Sequence, residues 1–168
     1  MADAILWILA YGHVLSAIAW LGSGILTGFV VGPNLRKMAP AAALEFNARI
    51  IPKITRFVEM AAVSTLLFGV LLLYYNFHGD LSFLMDSTQG YILSAGIVIA
   101  LFTAILAFSF IVPSFNKVAA FAKGAIEGGQ PPPPEMMKFA KRARLGSMTA
   151  VFLLLFVLAM MVASGFLY

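Results

Sequence analysis

The sequence predicts an all-α membrane protein, an antiparallel bundle of four transmembrane helices with cytoplasmic helical extensions. Three observations carry that reading. The 168 residues are 62% hydrophobic and only 11% charged, about half the charged fraction of a soluble domain. No Asp, Glu, Lys or Arg occurs between Asp3 and Arg36, from Met60 to Phe77, from Ser87 to Asn116, or from Leu145 to Tyr168. Each run is long enough to cross a hydrocarbon core, which takes about 20 apolar residues as a helix. None shows the alternation of a barrel strand, so helices are the only spanning structure left.

The third observation is where the charges lie. All eleven lysines and arginines fall in two stretches, Arg36 to Arg56 and Lys117 to Arg144, while the other face carries Asp3, Asp80 and Asp86. Cytoplasmic loops concentrate basic residues, which places both connections inside and both termini outside. Eleven bases less Glu45, Glu59, Glu127 and Glu135 leave +7 on that inner face. A surface of this charge favours anionic lipid headgroups. The basic pI of 9.6 thus reflects topology, and no nucleic-acid partner follows from it.

The elements then come in order, as a single membrane domain, 1–168. The first helix is expected over about 4–31, stopping before Pro33, because a residue preceding proline is pushed out of the α region. The start, MADAILWILAYG, has no basic n-region and belongs to this helix rather than to a secretory signal. A connection over 34–54 reads as a helical piece beginning at Pro40 and interrupted at Pro52, feeding a second helix over 55–77. The outer loop NFHGDLSFLMDSTQG is short and acidic. The third helix is expected over 90–113, with a kink or break at Pro113. The connection 114–144 should contain a helix to about Ile126, then the stiff run Pro131–Pro134. Pro134 suits the first turn of a helix that carries KFAKRAR into the fourth span, 145–167.

Candidate chemistry concentrates in the first helix, within HVLSAIAWLGSG (His13 to Gly24). At 100° per residue His13, Ser16, Ala17, Trp20, Gly24 and Thr27 lie within about 40° of one line. Gly24, Gly28 and Gly32 at four-residue spacing let a neighbouring helix or a flat ligand approach the backbone. An ionisable residue inside a membrane is a functional candidate by default. The plainer reading is a packing histidine bonded to a serine or a backbone carbonyl. Cysteine is absent, which excludes disulfides, iron–sulfur clusters, thiolate metal sites and c-type haem attachment.

The order His13-x6-Trp20-x-Gly22, followed by GPNLRK at the inner end of the helix, resembles the CopD-like copper-resistance membrane family. Its superfamily includes the HemJ-type protoporphyrinogen oxidases. STLLFGVLLLY (Ser64 to Tyr74) resembles that family's second helix, so the likeness covers roughly the first 75 residues. The resemblance implies that His13 matches a haem b ligand and is the metal-binding residue. Trp20 and Gly24 would then border the cofactor. The oxidase members also carry a lysine in the third helix, and none stands between Tyr91 and Pro113 here. Depth selects a second ligand. His13 lies about 14 Å below the outer end and Met160 about 12 Å, at 1.5 Å per residue, and thioether plus imidazole is a known haem pair. Methionine filling a gap in the bundle is the alternative, as is a haem held by His13 alone.

The functional expectation is therefore a haem-b membrane protein working in electron transfer or oxidase-like chemistry. Its partners would be the bilayer and a quinone, an electron-transfer protein or a larger membrane complex. Copper handling is the second reading, although the methionines form no evident path across the bilayer. A non-catalytic accessory subunit is the third. Among weaker candidates, His78, Asp80 and Asp86 would hold a divalent metal or form a solvated loop. Glu59 should pair with Arg56 at the interface or relay protons. KFAKRAR reads as a headgroup anchor.

Overall fold

A computed structural model describes residues 2–166, and all regular elements among them are helical. Helix α1 (Ala2–Ile25) continues through a π-helical segment, Leu26–Val31, into the short α2 (Gly32–Leu35). Next come α3 (Pro40–Arg49) and α4 (Ile51–Phe77), parted only at Ile50. A loop holding α5 (Phe83–Asp86) leads to α6 (Thr88–Leu106), a second π segment, Ala107–Ile111, and α7 (Val112–Gly128). After the proline run, α8 (Glu135–Gly165) carries the chain back across the bilayer. Four helical stretches have the length and apolarity of membrane spans. The expected end of the last span, Leu167, lies outside the described residues.

The membrane also accounts for the surface. Large apolar side chains such as Ile18, Val70, Val98, Ile105 and Phe152 are more than half exposed, which suits lipid contact. At the end opposite the basic residues, Trp7 stacks on Tyr11 at 5.3 Å between ring centroids. Tyr74 and Tyr91 stand exposed at the same end, the aromatic belt of a membrane interface. Within the helices, hydroxyls fold back on their own backbone. Ser16 donates to the Gly12 carbonyl, Thr55 to Ile51, Thr65 to Ala61 and Thr103 to Ile99. No buried side-chain nitrogen or oxygen among the described residues lacks a partner, as an apolar medium demands.

One proline expectation needs correction: the first helix does not stop before Pro33. At Pro113, where a kink or break is expected, the helix continues without a break beyond a π segment. Proline removes a donor, and its ring strikes the carbonyl four residues back in an α-helical ladder. Here a π segment precedes each proline, and the turn widens. The Gly32 N–H donates to the Thr27 carbonyl and the Val112 N–H to the Ala107 carbonyl, each five residues back. The residue after each proline then donates its side chain into the loosened ladder. Asn34 Nδ2 reaches the Val30 carbonyl at 2.8 Å, and Ser114 Oγ reaches the Phe110 carbonyl at 2.5 Å. Freed carbonyls in lipid require such replacement partners. The second helix also starts earlier than expected: the interruption falls at Ile50, and Pro52 sits in the first turn of α4.

The bundle is a pair of pairs. α1 packs mainly on α4, and α6 on α8. The two pairs are joined chiefly at the basic end, where α7 lies against α3 and α4, and α8 runs beside α1. α4 and α6 scarcely meet directly. Glycines set the close approaches. A methyl group at Gly12 would lie 2.8 Å from the Phe68 ring, one at Gly24 2.9 Å from Val151, and one at Gly146 2.8 Å from Ile111. The buried core follows this geometry. It runs from Trp20, Ala62, Ala104 and Leu154 toward the basic end through Ala107, Ile111, Ala150 and Ala122.

Candidate functional site

His13 sits on the α1 face that packs against α4. Its Nδ1 lies 2.9 Å from the Thr65 carbonyl oxygen. A carbonyl only accepts, so Nδ1 carries the proton and the lone pair resides on Nε2. The partner is a backbone carbonyl, and Ser16 is occupied with Gly12. Gly69, one helical turn beyond Thr65, makes room for the ring. A Cβ there would stand 3.0 Å from His13 Cε1 and 3.1 Å from Nδ1. The imidazole is thus fixed in plane and tautomer by helix α4, and it is half-buried.

Trp20 is two turns along the same line and only 4% exposed. It fills the junction of all four membrane helices, against Ala61 and Ala62 of α4, Ala104 of α6 and Leu154 of α8. Alanines at these positions leave the width an indole needs. On the basic side of Trp20 lies a cavity of about 50 Å³, bordered by Trp20, Gly24, Thr27, Thr55, Ala107 and Ser147 among others. Trp20 and Gly24 therefore meet at one cavity, while neither His13 nor Met160 lines it. Small-molecule sites occupy roughly 300–1,000 Å³, so this cavity does not admit a macrocycle. Gly24 is used to seat Val151 of α8, and Gly28 faces Met148 at 3.8 Å. A neighbouring helix, α8, takes up that close approach.

Met160 packs on the far pair. Its Cβ would be 3.5 Å from a methyl group placed at Gly96 of α6, and Met161 Cε 3.4 Å. Both methionines lie against α6 at Gly96. Register distinguishes them. Met161 is seven residues beyond Leu154, as His13 is seven residues before Trp20, and Trp20 and Leu154 share one cluster. Seven residues make nearly two turns, about 10 Å. Met161, rather than Met160, therefore continues the bundle-facing line of α8 to the level of His13. At that level His13 and Met161 are half-buried, while Thr65 and Gly96 are buried.

Haem, the group implied by the resemblance, can be set against these residues. The imidazole fits as a ligand. Metal-bound histidines characteristically donate their second ring N–H to a carbonyl or carboxylate, and Nδ1 does so here. The cavity beside Trp20 does not fit the macrocycle. His13 borders neither that cavity nor the groove between α6 and α8, so the fit to haem rests on the imidazole alone.

The remaining candidates resolve individually. No group of three or more His, Cys, Asp or Glu side chains forms a metal cluster among the described residues. Asp80 is engaged in a turn. Its carboxylate accepts the Ser82 backbone N–H at 2.9 Å, and this bond, with the Ser82 hydroxyl, holds its pKa below the ordinary value. His78, at φ 51°, caps α4 in the left-handed conformation and is exposed. The solvated-loop reading describes this segment. The expected Arg56–Glu59 pair does not form. The ion pairs among the described residues are Arg49–Glu45 at 2.5 Å and Lys123–Glu127 at 3.7 Å.

Comparison with protein-family models, with curated proteins and with solved structures finds no match to this chain.

Proposed function

We propose that this four-helix membrane protein binds haem b through His13 Nε2 and serves as a small redox protein or redox subunit. The observation that supports it most is the hydrogen bond from His13 Nδ1 to the Thr65 carbonyl. It fixes the tautomer in which Nε2 is free to bind a metal. Haem at this position would supply one-electron transfer. The protein's own residues do the rest. Thr65 orients the imidazole, Gly69 gives it space, and the buried Trp20 closes the floor and separates the site from the basic end. The electron partner on this reading is a quinone, an electron-transfer protein or a larger membrane complex.

The same reading places the basic end in the cytoplasm and both termini outside, in a prokaryotic cytoplasmic membrane. Single cysteines at Ser87 and at Lys123 should react with an impermeant thiol reagent from opposite sides of sealed vesicles. Reaction of both from one side contradicts that orientation. For the cofactor, protein expressed with haem supplied and purified in detergent should show a Soret band that shifts on reduction. A preparation that stays colourless under those conditions contradicts the proposal.

A further inference from the structure

Beside the second π segment, an open groove of about 390 Å³ runs between α6 and the first turns of α8. Lys138, Lys141 and Arg142 border one end, and Leu145, Leu106 and Phe110 border the other. Lys138, Lys141, Arg142 and Leu145 follow i, i+3, i+4, i+7 spacing and so form one face of α8. All three cations are exposed, and none belongs to an ion pair found among the described residues. Glu135, one turn earlier, does not border the groove. The Arg142 guanidinium lies 4.8 Å from the centre of the Phe110 ring, which holds it at the boundary between the charged and apolar ends. Phe110 is 47% and Leu145 55% exposed.

We infer that this groove is a binding site for one anionic phospholipid of the leaflet at the basic end. The order along α8 matches such a molecule from head to tail. Three cations come first, and Leu145 follows, about 10 Å beyond Lys138 and about 4.5 Å beyond Arg142 toward the bilayer centre. The guanidinium offers paired donors to phosphate oxygens, and the two ammonium groups add charge around them. An acyl chain then lies along Phe110 and Leu106. A zwitterionic headgroup brings its own cation and gains little from three unpaired ones, so the site selects net negative lipid. This goes beyond a diffuse attraction of the basic surface for the membrane. It assigns a stoichiometry of one, a location, and an apolar half that charge alone does not require.

Native mass spectrometry of the full chain in detergent, with phosphatidylglycerol or phosphatidylcholine added, tests this. One phosphatidylglycerol should remain bound where phosphatidylcholine does not. Lys138→Gln/Lys141→Gln/Arg142→Gln should weaken retention about a hundredfold. Lys37→Gln/Lys53→Gln/Arg56→Gln, which removes as much charge from the same end, should leave it nearly unchanged. Leu145→Trp fills the apolar half with every charge intact and should also release the lipid, while circular dichroism reports a folded bundle for each variant. Equal loss in both triple variants, full retention in Leu145→Trp, or equal retention of the two lipids by the wild type would each overturn the site. So would displacement by inorganic phosphate as readily as by phosphatidylglycerol, which would mark a bare phosphate site.

Discussion

Trp20→Ala should lower the thermal unfolding midpoint of the detergent-solubilised bundle more than any other single truncation. The indole is nearly fully buried where all four membrane helices meet, and the buried residues clustered with it are alanines and Leu154, with Leu21, Val58 and Leu66 packed at the margin. Large-to-small changes of this kind cost about 3–5 kcal/mol, with the higher figures where the surroundings cannot collapse. In lipid the association of helices rests on packing rather than on exclusion of water, so a void at the crossing strikes the principal term. The new space would also join the existing cavity of about 50 Å³ beside Trp20. Trp20→Phe should recover most of the loss. An unchanged midpoint for Trp20→Ala would mean that the pairs are held together elsewhere.

The second large effect should come from a single methyl group. A Cβ at Gly90 would stand 2.0 Å from the Phe83 carbonyl oxygen and 2.9 Å from the Leu84 Cα. These are backbone atoms of α5, so no rotamer change relieves the clash. The arrangement it protects is specific. Ser87 Oγ accepts the Gly90 N–H at 2.9 Å and caps α6, and Ser94 Oγ donates to the Leu84 carbonyl at 3.1 Å. Gly90→Ala should undock α5 at a cost of about 3 kcal/mol. Amide exchange in residues 80–90 should speed up while the membrane helices keep their protection. Unaltered exchange across that loop would show that α5 is not seated on α6 in this way.

Much of the fold was legible because lipid punishes charge and unpaired backbone so severely. Four charge-free runs in a chain this apolar have few alternatives, and the two basic clusters fall at one end of the bundle as their segregation implies. The punctuation was harder to read. The rule that a helix ends before proline assumes an α-ladder, and it fails at Pro33 and Pro113 because a π turn supplies the missing slack. A visible signal was available in both places, since a side chain able to donate to a carbonyl, Asn34 or Ser114, follows each proline. Helix α5 escaped because four residues are too few to show a period.

For the candidate site, the first helix disclosed the line that joins His13 to Trp20 and Gly24, since side-chain direction in a helix follows from spacing. What lay across from it did not. That the imidazole meets the Thr65 carbonyl, and that Gly24 seats Val151, depends on how α1, α4 and α8 cross. Depth alone pointed to Met160. The register with Leu154 and Trp20 points to Met161 instead, and that register was hidden until the core was known.

A haem titration of the wild-type protein and His13→Phe, side by side in detergent, tests the central claim most directly. Phenylalanine keeps a flat ring beside Gly69 and removes both nitrogens, so the bundle should retain its circular dichroism and size. The wild type should bind one haem with a Soret band, and the variant should lose that band while still folded. Equal haem binding by the two proteins, or none by either, would contradict His13 as a ligand and leave it as a hydrogen-bonded contact between α1 and α4.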